Sequence, residues 1–199
     1  MRMLTVFAAL LVSAAAYAQG DLPFQINYAT NLAAGDSYVT VTNSGASSTV
    51  ALPTQNGNIC VNVYTYDPAE ELISCCTCPV TPNGLAFLSV KKDLIGNTLT
   101  PGTPTSVVVK LVANSASSCN AASVNSASLA RGLIAWGTTL AQASNGVFTP
   151  ERTPFLPATL SPAELTRMTA LCGFIQVNGS GHGICAACKP GAAGGADKE

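Results

Sequence analysis

The chain has 199 residues, a formal net charge of −1, only 10% charged side chains, eight cysteines and one histidine. With no run of like charge, its surface offers no electrostatic footprint for nucleic acid or anionic lipid, and no nucleic-acid partner is expected. Few groups here look like chemistry, so the thiols carry most of the argument.

The first eighteen residues, MRMLTVFAALLVSAAAYA, set one arginine before an apolar run from Leu4 to Ala16 and end in Ala16-Tyr17-Ala18. That is the pattern of a secretory signal peptide over residues 1–18 with an A-x-A cleavage site. The run is shorter than the roughly 20 apolar residues a spanning helix needs, and no later segment reaches that length, so no transmembrane segment is expected after cleavage. Residues 19–189 are expected to form a single domain, secreted or periplasmic.

Short stretches then alternate apolar and polar residues with the period of two expected of half-buried strands. Phe24, Ile26 and Tyr28 make the first, and Val39 and Val41 the second, followed by turn chemistry at Asn43-Ser44-Gly45. Ile59, Val61 and Val63 form one face of a third, with Cys60, Asn62 and Tyr64 on the other. Asp67-Pro68-Ala69-Glu70 reads as the turn into a partner strand ending at Cys75 and Cys76. Residues 85–90, 106–113 and 133–139 have strand composition, separated by Asn83-Gly84, Pro101-Gly102 and a Ser/Asn/Ala-rich loop from Asn114 to Ser128. About seven strands without βαβ alternation predict an antiparallel β-sandwich, Ig-like or similar.

One helix follows over 161–178. Ser161-Pro162-Ala163-Glu164 combines a capping box with proline at the first helical position. Leu165, Met168, Leu171, Cys172 and Ile175 recur at helical spacing as an apolar stripe that packs on the sheet, and Asn178-Gly179 closes the helix. The glycine-rich end, residues 190–199, is expected to be disordered.

The cysteines are Cys60, Cys75, Cys76, Cys78, Cys119, Cys172, Cys185 and Cys188. An even number in an exported chain predicts a disulfide framework of up to four bridges, whose connectivity the sequence does not fix. Neighbouring strand residues point to opposite faces, so Cys75 and Cys76 should serve different partners. A hairpin turn at 67–70 brings Cys60 almost opposite them, which favours a bridge from Cys60 to Cys75 or Cys76. Cys172 would most simply tie to Cys185 or Cys188.

Metal and redox readings fit less well. Zinc needs four thiolate or imidazole ligands, and Cys76-x-Cys78 lacks the usual two or more intervening residues. Cys185-Ala-Ala-Cys188 precedes Pro190 and glycines, which cannot supply the helix N-terminus that activates a catalytic dithiol. Lys189 stands where c-type haem attachment needs histidine. No cofactor is expected. His182 and Ser180 share a glycine-rich loop, but Asn178 and His182 occupy the glycine positions of a G-x-S-x-G elbow, and no triad is expected. Glu70 and Glu71 are adjacent, which on a strand sends them to opposite faces, unsuited to paired-carboxylate hydrolysis. Tyr64 and Tyr66 share a strand face, and with Trp136 they are the candidate aromatics for stacking on a sugar or a partner's side chains.

The stretches INYATNLAAGDSYVTVTNSGA, GNICVNVYTYDPAEELISCCTCPVTPNGL, LIGNTLTPGTPTSVVVKLVA, GLIAWGTTL and LSPAELTRMTALCGFIQVNGSGHGIC resemble a family of exported, cysteine-rich bacterial proteins of no known activity. The resemblance implies neither an enzymatic activity nor catalytic residues. The expected function is a non-enzymatic structural or adhesive module of the cell envelope or extracellular space. The alternative is a module that binds carbohydrate or an envelope component through exposed aromatics, and a secreted enzyme or thiol-redox protein comes third. The partner would be an envelope component, a carbohydrate or a second copy of the chain. Alkylation followed by intact-mass measurement tests the premise: the exported protein should accept no alkyl group before reduction and eight after it.

Overall fold

The computed structural model describes residues 21–48, 57–115, 119–185 and 189–190. The expected signal peptide, Cys188 and the tail from residue 191 lie outside them. Ten strands and one long helix follow in chain order: β1 (Phe24–Ala29), β2 (Tyr38–Asn43), β3 (Ile59–Tyr66), β4 (Leu72–Val80), β5 (Leu85–Ser89), β6 (Val107–Asn114), β7 (Leu133–Gln142), β8 (Phe148–Pro154), β9 (Leu156–Pro157), α1 (Pro162–Asn178) and β10 (Lys189–Pro190). They build two five-stranded antiparallel sheets, β4-β3-β6-β1-β9 and β10-β5-β2-β7-β8. Below, the first is the covered sheet and the second the open sheet.

The seven expected strands are all present. In an immunoglobulin domain the first two strands share a sheet, whereas here β1 and β2 lie in different sheets, so the sandwich has its own topology. β8 escapes the pattern because Pro150 and Pro154 punctuate it; proline removes a ladder donor and is tolerated on an edge, which is where β8 lies. After β8 the chain leaves the open sheet at Phe155, whose N–H donates to Ala135 O at 2.9 Å, and joins the covered sheet by pairing Leu156 with Ile26. The Phe155 ring, 1% exposed, plugs the core at this crossing. At the other end, Pro190, the first residue of the expected tail, pairs with Ala86 in β10.

Between the sheets lies an aliphatic core that includes Val39, Val41, Val61, Val63, Leu88, Val109, Leu111 and Leu133. The covered sheet buries its outer face as well: Phe24, Tyr64, Tyr66 and Val112 pack under Leu165, Met168, Cys172 and Ile175 of α1. β3 is therefore buried along its whole length. Its polar positions must find partners inside, and Asn62 donates from Nδ2 to Val112 O at 2.9 Å and to Asn114 Oδ1 at 2.7 Å.

Local chemistry sets the boundaries. Asp67 Oδ1 accepts from the N–H groups of Ala69 and Glu71, which holds the β3–β4 turn with Glu70 at a φ of 65°. Val90, expected in β5, instead opens a single wide turn capped by Ser89, whose Oγ accepts from Lys92 N. Ser161 Oγ accepts from Glu164 N at 3.1 Å, but the reciprocal half of the capping box goes elsewhere. Glu164 accepts instead from Lys110 Nζ at 2.6 Å, which ties the helix to β6. The helix ends at Gly179 in right-handed geometry, with a φ of −75°.

The disulfides answer the pairing question, and partly against expectation. Cys75 and Cys76 do serve different partners: Cys75 bonds Cys172 on the helix side, and Cys76 bonds Cys185 on the core side. Cys60 bonds Cys119, not Cys75 or Cys76. The reason is register: the hairpin places Cys60 opposite Pro79 and sets Tyr64 and Val63 opposite the adjacent cysteines. On its other side Cys60 faces Asn114 at the end of β6, and Cys119 follows that strand. Cys172 bonds neither Cys185 nor Cys188, because α1 lies across β4 and sets Cys172 over Cys75. The chain then returns along the outer edge of β4, where Cys75 N donates to Gly183 O at 2.9 Å and Cys185 N to Cys75 O at 3.3 Å. Gly183 is required there, since its φ is 75° and an added Cβ would meet Ile175 Cγ2 at 2.7 Å. Cys78 is disulfide-bonded as well.

The Cys75–Cys172 bridge closes 97 residues, and loops of that length stabilise by about 4 to 5 kcal/mol in the chain-entropy treatment, with measured losses of about 2 to 5. Replacing both residues by alanine should lower stability to chemical denaturation by that order and leave the two sheets intact by circular dichroism.

Candidate functional site

The three sequence-selected aromatics do not form one surface. Tyr64 is fully buried beneath α1 and donates from its hydroxyl to Ala121 O at 2.6 Å. Burial, with Tyr66 adding to it, pushes its phenol well above the ordinary range. Tyr66 is 5% exposed, its hydroxyl has no hydrogen-bond partner among the described residues, and Lys110 Nζ sits 4.7 Å over its ring. Desolvation, then the Glu164 carboxylate, push its phenol up to about 12 against a smaller opposing effect of Arg167. The alternation that put both tyrosines on one face was right, but that face lies under the helix. Trp136 stands on the far side of the molecule, partly buried on the open sheet with the Arg152 guanidinium 4.9 Å over its ring.

Ser180 and His182 lie exposed in the turn after α1, and no hydrogen bond among the described residues joins either to a carboxylate. Cys185 is occupied in its bridge to Cys76. Among the described residues no three His, Cys, Asp or Glu side chains converge as a metal site, and no helix is long and apolar enough to cross a membrane.

A sizeable concavity lies elsewhere among the described residues. A groove of about 1000 Å³ runs along the side of the sandwich where β8 hands over to β9, lined by Ile26, Tyr28, Val108, Leu140, Leu156 and Pro157 among others. Three features create it. The helix covers Tyr64 and Tyr66 but stops short of Tyr28, which is 53% exposed at the end of the covered sheet's outer face. β9 is only two residues long, so among the described residues β1 has no paired neighbour beyond Ile26 on that side. Asn27 then ties the two sheets across the gap, donating from Nδ2 to Thr153 Oγ1 at 3.2 Å, while its Oδ1 accepts from Tyr28 N at 2.7 Å. That last bond satisfies a donor on β1's open edge, which blunts strand-by-strand pairing there. Leu156, 67% exposed, forms the rim.

Of the ionisable side chains among the described residues, only Glu151 and Tyr28 reach this lining. The groove is suited to excluding water from an apolar surface, with few polar groups to orient a small substrate. Sequence reasoning missed it because Phe24, Ile26 and Tyr28 share one alternating face, and nothing in their spacing says that cover ends between the last two. No family model, curated protein or solved structure matches the chain.

The buried phenols make a pH prediction. A tyrosine whose folded-state value lies above the ordinary 10 binds its proton more tightly in the fold than in the unfolded chain, so stability is full below pH 10 and falls as pH rises toward 12. The slope should be about 1.4 kcal/mol per pH unit for each such tyrosine. Denaturant titrations between pH 9 and 12 should show this decline, and Tyr66→Phe should make it shallower.

Proposed function

We propose that the protein acts outside the cytoplasm, secreted or periplasmic, as a non-enzymatic adhesive or structural module of the cell envelope or extracellular space. The observation that supports this reading best is the groove beside β1. It is an exposed apolar surface held by a framework that disulfides fasten at both faces of the covered sheet, and exposed apolar area of this kind marks interaction sites. Disulfides are kept in oxidising compartments, in keeping with export through the leader expected over residues 1–18.

A second reading, a module that binds carbohydrate or another envelope component, draws on the partly exposed Trp136 and its guanidinium neighbour. It is independent of the groove, which allows the two surfaces to be separated by mutation.

The test of the adhesive reading uses the double substitution Tyr28→Asp and Leu156→Asp. Both side chains are more than half exposed, so the melting temperature should stay within a few degrees of the parent. Retention of the purified protein on isolated cell-envelope material should fall about tenfold or more, because two desolvated carboxylates would face the apolar contact. Undiminished retention with the fold preserved would rule the groove out as the adhesive surface.

A further inference from the structure

We infer that the outer face of the open sheet is a binding surface for an acidic polysaccharide, with uronic-acid sugars as the class it fits. The inference deepens the carbohydrate reading and owes nothing to the groove. Strand alternation decides which side chains stand on this face. Val39, Val41, Ala86, Leu88, Leu133 and Ala135 point into the core, so their neighbours Tyr38, Thr40, Phe87, Trp136 and Thr138 point outward, all partly exposed.

Register then sets them in rows. Phe87, Thr40, Trp136 and Pro154 are directly opposite one another across four strands. At ordinary strand spacing, Phe87 and Trp136 stand about 10 Å apart with a threonine hydroxyl between them. Tyr38 stacks on Phe87 with ring centroids 5.0 Å apart, adding a second aromatic side chain at one end of the row. A chain of pyranose rings laid across the strands would meet two aromatic side chains with a hydroxyl group in between, a surface matched to rings that are apolar above and below and polar at the rim.

Charge selects the kind of sugar. Of the outward positions on β2, β5, β7 and β8, only Arg152 is ionised. It is exposed, has no carboxylate partner among the described residues, and lies over the Trp136 indole. A guanidinium drawn over an aromatic ring still carries its forked donors to a planar carboxylate, which a uronic acid has and a neutral sugar lacks. The positive charge of Arg152 beside the Trp136 ring complements one carboxylate on a bound sugar.

The experiment has a built-in reporter, because Trp136 is the only tryptophan in the chain. The full-length exported protein, disulfides intact, is titrated with polygalacturonate, with a neutral glucan of equal length and with polyphosphate, following tryptophan fluorescence and, in parallel, calorimetry. Polygalacturonate should change the Trp136 emission and bind at least about tenfold more tightly than either control. Arg152→Gln should remove that advantage, at about tenfold for a lost charge-assisted contact. Phe87→Ala, read by fluorescence, and Trp136→Ala, read by calorimetry, should each weaken binding severalfold. Equal binding of polyphosphate would reduce the effect to general charge attraction, and equal binding of neutral glucan would leave the carbohydrate reading standing but overturn the acidic class. Absence of any glycan binding, or binding unaffected by Arg152→Gln and Phe87→Ala, would overturn both.

Discussion

Two adjacent cysteines on one strand organise this molecule. In extended backbone, successive side chains leave opposite faces of the sheet, so Cys75 and Cys76 cannot reach the same neighbour. One reaches up to the helix and the other down into the space between the sheets. β4 thereby becomes the strand to which both the helix and the segment that follows it are fastened. The segment after the helix also runs along the β4 edge, with its Gly183 and Cys185 backbone exchanging hydrogen bonds with Cys75. An edge that would otherwise present unpaired donors and acceptors is closed by the chain's own later residues.

From that fastening follows the inversion of what the tyrosines do. A sheet with one wet face would have displayed Tyr64 and Tyr66 to solvent. Once the helix is bolted over β4, the same residues become its seat, and Tyr64 must find an acceptor inside, which it does at Ala121. Lys110 shows the transition from cover to solvent: its ammonium reaches Glu164 at the first turn of the helix while lying over the Tyr66 ring. One strand further, past the helix, Tyr28 has no such lid. The boundary between core and groove is a matter of helix length and placement, since the residues on either side are equally apolar.

That explains which parts were legible in the sequence. Period-two alternation identifies β1 to β7 because each has at least one core face, and the cap at Ser161 with the stripe from Leu165 to Ile175 identifies the helix. Alternation also separates Cys75 from Cys76 correctly. What it lacks is any statement of which face is covered by what, so both disulfide guesses failed where they depended on register or on the path of the helix. Cys60 misses Cys75 and Cys76 because the hairpin pairs it with Pro79. Glu164 has the right identity for a capping box, yet Lys110, far away in sequence, offers a full charge where the box offers one backbone N–H. β8 was illegible for the opposite reason: prolines that forbid a central strand permit an edge strand, and only the sheet's topology says which it is.

The open sheet illustrates the same asymmetry from its solvent side. Its core-facing residues Val39, Val41, Ala86, Leu88, Leu133 and Ala135 are small or branched aliphatics that need only volume complementarity, and the outward row of Phe87, Thr40 and Trp136 is set by register. Shifting β2 by one residue against β7 would bury Thr40 and turn Val39 outward, so the core that enforces the pairing also fixes the spacing of Phe87 and Trp136. Rings positioned that way are held by strands whose opposite faces are tightly packed, which removes most of the conformational cost of presenting them. A groove whose side chains converge from a two-residue strand and a handover between sheets lacks that support. The two surfaces differ in kind for this reason: the flat face is preorganised by the core beneath it, and the groove is the space left where cover runs out.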